Sequence, residues 1–221
     1  GADSFAIRHS YLYISNSLGQ IRAGDTAHAG EGYLGTQMDG AALAGSIVGT
    51  AFDGFLFNNK TVTTNVAAGA AVSTAHGSDF SSGRQSGISF DTKTVGGFKA
   101  TVSHVAYGSG SGEVQYGGDF NGVAVKAGAM YTTVSSSGTA AHTTEDITGY
   151  GAGIKLANGL SVSGNYKKRS LDSGVNTTNR ADPEMYYGRV GYDMSNVSDL
   201  GKTSVAFAIR DVSDRAATGD Q

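Results

Sequence analysis

The sequence has 221 residues, a formal net charge of −3 and a pI near 5.9, without the basic stripe a nucleic-acid binder needs. It contains no cysteine, which excludes a disulfide framework and a thiolate metal site. With 34 glycines and 39% hydrophobic residues, it has too little branched aliphatic bulk for a large dry core. No apolar run approaches the roughly 20 residues of a membrane-spanning helix, but barrel strands need only alternate residues to face lipid.

Period-two alternation in segments of about ten residues is the main signal, and that is the length of a tilted strand crossing a bilayer. Phe5, Ile7, His9, Tyr11 and Tyr13 are expected on one face, opposite Ala6, Arg8 and Ser10. After a turn at 15–19, Ile21 and Ala23 continue the apolar face while Gln20 and Arg22 take the other. Ile88 and Phe90 oppose Ser89 and Asp91, and Phe98, Ala100 and Val102 oppose Lys99, Thr101 and Ser103. Val114, Tyr116 and Phe120 lead into Asn121-Gly122, a type I′ hairpin signal, after which Val123, Val125, Ala127, Ala129 and Tyr131 oppose Lys126 and Gly128. Tyr150, Ala152, Ile154 and Leu156 precede a second expected turn of this kind, Asn158-Gly159, and Leu160, Val162 and Tyr166 then oppose Ser161, Ser163 and Asn165. Tyr186, Val190 and Tyr192 oppose Arg189 and Asp193; Val205, Phe207 and Ile209 oppose Ser204, Ala208 and Arg210. The reading is all-β, with about ten strands.

Short turns are expected near 15–19, 93–97, 121–122, 157–159 and 195–201, and longer polar loops at 25–83, 108–113, 135–145, 170–184 and after 212. Strict alternation of short and long connections predicts a transmembrane antiparallel up-and-down β-barrel rather than a Greek-key sandwich. Charge agrees: Arg8, Arg22, Lys99, Lys126, Lys155, Arg189 and Arg210 lie opposite the aromatic face. A cation facing mid-bilayer costs about 2–4 kcal/mol, whereas a wet interior accepts it. Arg84 and Lys168 break the pattern near strand ends, where long side chains snorkel. His9 and His104 fall on the expected lipid face and are acceptable there only near an interface.

Residues 25–83 form a connection too long to be ordinary. Its Tyr33, Leu34, Met38, Ile47, Val48, Phe52, Phe55, Leu56 and Phe57 give it enough apolar surface to fold against a barrel wall. The alternatives are an inward loop that narrows the pore, carrying Asp39 and Asp53 opposite basic wall residues, and an extracellular loop packed on its neighbours.

Residues Arg8 to Ser15 and Leu18 to Asp25 form a strand–turn–strand with an Arg-x-x-Tyr strand and a Gly turn. With Ile88 to Thr92, Gly97 to Ala100, Tyr150 to Tyr166 and Leu200 to Ala208, they resemble the Gram-negative general porins, particularly the alphaproteobacterial type. The resemblance spans nearly the whole of 1–221 as one porin segment. It implies a sixteen-stranded homotrimeric outer-membrane channel, contacting lipid and lipopolysaccharide, that passes small polar solutes and ions by diffusion. It also implies a third loop folded into the pore, with Arg8, Arg22, Lys99 and Lys126 on the wall and Asp39 and Asp53 on the loop. Three further strands are expected at each end, so the sequence reads as an internal fragment of the sixteen.

No catalytic motif accompanies this pattern, and no enzyme or cofactor is expected. Gly149-x-Gly151-x-Gly153 has no helix after it to make a nucleotide loop, and the histidines lack zinc-ligand spacing. Asp182-Pro183-Glu184 and His142 to Asp146 are the candidates for calcium at a loop, though a solvated loop is the better account of them. The competing reading of the whole chain is a secreted β-rich structural protein, a sandwich or fibre module, in which the apolar faces pack on each other.

Overall fold

A computed structural model of the chain describes residues 9–26, 29–30, 38–40, 85–105, 108–137, 142–171, 182–198 and 201–213. These form ten strands: β1 Ser10–Ser15, β2 Gly19–Thr26, β3 Gln85–Thr92, β4 Phe98–Val105, β5 Gly110–Phe120, β6 Val123–Ser137, β7 His142–Lys155, β8 Leu160–Leu171, β9 Glu184–Ser198 and β10 Gly201–Ser213. Each pairs antiparallel with its neighbours in sequence, giving one up-and-down sheet in the order β1 to β10, open at both edges. Among the described residues there is no second sheet for the apolar face to pack on, as the sandwich reading required.

Sidedness is inverted relative to a water-soluble sheet. Directly opposed residues of an antiparallel ladder share a face, so the register traces each face across the sheet. One face carries Ile21, Phe90, Val102, Val114, Ala129, Tyr150, Tyr166, Tyr186 and Ile209, and most of these side chains are exposed. The other carries Ser89, Asp91, Thr101, Ser103, Glu113, Thr132, Ser163, Asn165, Lys167 and Arg189, all buried. Phe207 is 74% exposed while Lys167 is 0% exposed. An apolar surface of this extent meets hydrocarbon rather than water. The apolar face is therefore called outer and the polar face inner.

Aromatic side chains on the outer face fall into two rows. Towards the long connections, Tyr150, Tyr166 and Tyr186 stand side by side with ring centroids 4.9 Å apart in each step. Towards the short turns, Phe98 packs on Tyr116 at 4.8 Å, and Tyr116 stacks on Phe120 at 6.4 Å. Between the rows lie Val114, Ala127, Ala152, Ile154, Val162 and Val190. Two aromatic rows around an aliphatic band are what the two interfaces of a bilayer select.

Several expectations need correction. In β1 the register opposes Tyr13 to Arg22 and Ile14 to Ile21, so Tyr11 and Tyr13 share the inner face with Arg22 and it is Leu12 and Ile14 that point outward. The turn decides this: Asn16 Oδ1 accepts from Leu18 N and Gly19 N, which sets Ser15 against Gln20. Only 106–109 and 138–141 separate β4 from β5 and β6 from β7, shorter than the expected long loops. The strands take up those residues: β6, with 15 residues, is about 50 Å long and outruns the roughly 9–11 residues a bilayer requires. Asn121 and Gly122 both have positive φ (53° and 83°), as a type I′ turn demands, but at the second hairpin only Gly159 does. There the turn closes by Gly159 N on Leu156 O at 3.0 Å, a wider connection than the two-residue loop expected.

His104 points outward from the penultimate residue of β4, at the end of the strand. His9 precedes β1 and packs edge-on to Tyr11, a residue of the inner face. Lys168 is also on an outer-face strand end, held by Asp182 at 3.4 Å and Glu184 at 3.7 Å. Arg84 lies outside the described residues.

Candidate functional site: the polar face and its loop contacts

Alternation places every other residue of β2 to β10 on the inner face, and the described ion pairs between strands there form three groups. On β2 to β4, Arg22 Nε donates to Asp91 Oδ2 at 2.8 Å, Thr101 Oγ1 donates to Asp91 Oδ1 at 2.9 Å, and Lys99 Nζ lies 3.3 Å from the same oxygen. One carboxylate thus holds two cations from neighbouring strands. On β7 and β8, Arg169 binds Glu145 through Nε at 2.7 Å and through a second, shorter contact. On β7, β9 and β10, Asp193 accepts from Lys155 Nζ and from Ser204 Oγ at 2.8 Å.

Two described pieces of the long connection, which runs over 27–84, touch this face. Ala29 N donates to Ser103 Oγ at 3.1 Å, and Gly30 N donates to Glu113 Oε2 at 2.6 Å, on β4 and β5. Farther along, Gly40 N donates to Asp193 Oδ1 at 2.9 Å. Asp39 meets Arg189 of β9 in a two-point pair, Nε to Oδ2 at 2.7 Å and Nη2 to Oδ1 at 2.6 Å. This fork-to-fork geometry is the strong form of an ion pair, and it is deeply buried, with side-chain exposures of 5% for Arg189 and 1% for Asp39. Arg189 Nη1 also donates to Tyr187 Oη at 3.4 Å. Contacts on β4–β5 and on β9–β10 stand on opposite sides of β6, β7 and β8, so the connection meets the inner face at two separated places.

Among the residues singled out from the sequence, Arg22 and Lys99 come together on Asp91, and Asp39 joins Arg189 rather than the Arg22 group. Lys126 is on the inner face near the 121–122 turn, exposed, opposite Gly153. Arg8 and Asp53 lie outside the described residues. Asp91, Glu113, Asp193 and Arg169 join the site although composition did not single them out; their strand parity was the available signal. An apolar cluster on the same face, Met130, Ile147, Met185 and Tyr187 with Val134 and Val212 against it, was not anticipated either. Among the described residues no group of three or more His, Asp or Glu is arranged to hold a metal ion. Asp182 and Glu184 instead face Lys168, and Asp146 Oδ1 accepts from Thr133 Oγ1 at 3.1 Å.

An apolar outer face with aromatic rows, joined to a charged inner face touched by a long loop, is the arrangement of a membrane β-barrel wall. No curated protein and no solved structure matches the chain. A family model described as Gram-negative porin matches residues 1–221, and the chain belongs to that family.

Proposed function

We propose that this protein is a bacterial outer-membrane channel through which small hydrophilic solutes and ions diffuse passively, with no catalytic step. The observation that carries this reading is the pairing of a lipid-suited outer face with a charged inner face, on which the Asp39–Arg189 pair pins part of the 27–84 connection. In this reading the connection narrows the pore, and Arg22, Lys99 and Lys126, together with Arg8, supply positive wall charge opposite the acids Asp39 and Asp53. Opposed charges across a narrow aqueous path set up a transverse field that orders water and favours polar over apolar solutes. The chain then works within a larger closed barrel in a homotrimer, surrounded by outer-membrane lipid and lipopolysaccharide.

Planar-bilayer recording with the full-length protein tests this. Stepwise, ohmic conductance increments, with swelling of proteoliposomes in small sugars but not in larger ones, are expected. A protein that stays monodisperse in water without detergent and produces no steps would overturn the proposal.

A further inference from the structure

On β1 the inner face carries aromatic rings where the rest of that face is mostly polar. His9, Tyr11 and Tyr13 stand in line along the chain, with ring centroids 6.4 and 6.5 Å apart. Tyr11 is 42% exposed and Tyr13 62% exposed. Among the described residues, β2 to β10 place a single ring on this face, Tyr187, and it is buried. Rings on the wet face gain nothing from lipid and take no part in the aromatic rows that meet the bilayer interfaces. From His9 to Tyr13 the row covers about 13 Å along the strand. Strands of a membrane barrel tilt by about 35–45°, so such a row runs with the direction of passage rather than across it.

The strip beside the rings is low and polar. Gly24 lies opposite Tyr11 with a φ of 130°, and Gly87 follows it on β3, so neither strand raises a side chain next to that ring. A Cβ on Gly24 would stand 2.7 Å from Tyr11 Cα, and only glycine allows the two strands to approach this closely. Tyr13 is set against Arg22, and Ser89 and Ser103 continue its row. Ser89 is 2% exposed and its Oγ has no hydrogen-bond partner among the described residues, so the floor holds a polar group that the chain leaves unsatisfied. One step towards the short turns, Gln20 Nε2 donates to Ser15 Oγ at 3.0 Å, and Asp91 receives Arg22 and Lys99. Ala29 and Gly30, bonded to Ser103 and Glu113, mark the far side of the strip.

A saccharide ring is apolar on its C–H faces and polar at its hydroxyl edge, so an aromatic face next to donors and acceptors suits it. The strip supplies both: tyrosine rings on β1, N–H groups of Arg22 and Gln20 on β2, and the Asp91 carboxylate on β3. Hydroxyls both donate and accept, whereas an anion needs donors alone and would meet the carboxylate. We propose that this strip binds neutral linear saccharides in transit, with sugar rings stacked on Tyr11 and Tyr13 and hydroxyls bonded to Arg22, Gln20 and Asp91. The proposal rests on the diffusion reading above and deepens it, naming a solute class that the channel holds as well as admits.

Planar-bilayer recording of the full-length porin tests it, with cellotriose as the saccharide and a poly(ethylene glycol) of the same size, which has no ring face, as the comparison. Cellotriose is expected to block the ion current saturably, and the polymer only to lower it in proportion to its concentration. Tyr13→Leu keeps apolar bulk but loses the ring, and should raise the half-blocking concentration of cellotriose about tenfold, the size of one aromatic contact. Tyr13→Phe, which keeps the ring, should raise it by no more than about threefold. Equal, unsaturating effects of the two solutes on the wild-type channel overturn the proposal, and that comparison needs no variant to fold. An unchanged half-blocking concentration in Tyr13→Leu overturns it as well. So does a change in Tyr13→Leu that alters plain-salt conductance and the polymer's effect as much as the block by cellotriose, because the ring would then serve packing alone. Channels without saturable block defeat this proposal by itself, whereas absent channels defeat the diffusion reading.

Discussion

Removing one member of the Asp39–Arg189 pair is the most informative perturbation of the inner face. Both groups are almost wholly buried, and both guanidinium contacts are short, at 2.7 and 2.6 Å. Asp39→Asn leaves the Arg189 charge in a buried site with Tyr187 Oη and a neutral amide in place of a carboxylate. Breaking a buried pair from one side costs about 3–5 kcal/mol, chiefly because the remaining charge is uncompensated. At 1.4 kcal/mol per tenfold, that shifts the docked-to-undocked ratio of the loop contact by about two to three and a half orders of magnitude. Gly40 N on Asp193 should not hold the contact alone, since a single hydrogen bond contributes about 0.5–3 kcal/mol. Asp39→Asn and Arg189→Met should therefore each change single-channel conductance and increase open-channel noise. The double variant Asp39→Asn/Arg189→Met, having no charge to leave buried, should be less disturbed than either single variant. The assay is planar-bilayer recording of the three variants beside the wild type, with detergent-resistant barrel content as the control for folding. Unchanged conductance and noise in both single variants, with folding intact, would refute the reasoning, and so would effects that simply add in the double variant.

Other positions test other parts of the argument. Val190→Arg places a cation in the outer aliphatic band and should lower stability in bilayers by about 2–4 kcal/mol, whereas Ala208→Arg on the inner face should lower it far less; urea unfolding in liposomes compares them. The chain has no cysteine, so single-cysteine variants label cleanly: Lys126→Cys should react with a membrane-impermeant thiol reagent in proteoliposomes, and Val125→Cys should not. Equal labelling of the two would mean that the faces have been assigned wrongly. Arg22→Ala removes one of the two cations on Asp91, and the zero-current potential in a salt gradient should move towards cation preference. No movement would indicate that this group is off the ion path.

From β4 to β10 the alternation of side chains was legible without coordinates, because most residues of each strand are apolar on one parity and polar on the other, the inner cluster of Met130, Ile147, Met185 and Tyr187 with Val134 and Val212 being the exception. β1 was not, because Tyr11-Leu12-Tyr13-Ile14 is apolar on both parities and only the pairing of Ser15 with Gln20 chooses the face. A strand whose two faces look alike carries no register of its own. Connection lengths were overestimated for a related reason: the polar residues at 110–113 and 135–137 read as loop, yet they extend hairpins whose backbone hydrogen bonds are satisfied outside the bilayer. The Asn158-Gly159 turn differed because a dipeptide allows more than one loop length, and the ladder between Lys155 and Ser161 selects the wider one.

By itself, then, the sequence determined the period of two, the separation of charge from aromatic rings, and hence a sheet with one oily and one wet side. These follow from local chain geometry, since successive strand residues must point to opposite faces. Pairings between distant positions were decided only in the tertiary structure: Asp39 with Arg189, Gly30 with Glu113, and the row of Tyr150, Tyr166 and Tyr186. Such contacts depend on which strand becomes whose neighbour and at what height, and alternation within a single strand holds no record of either.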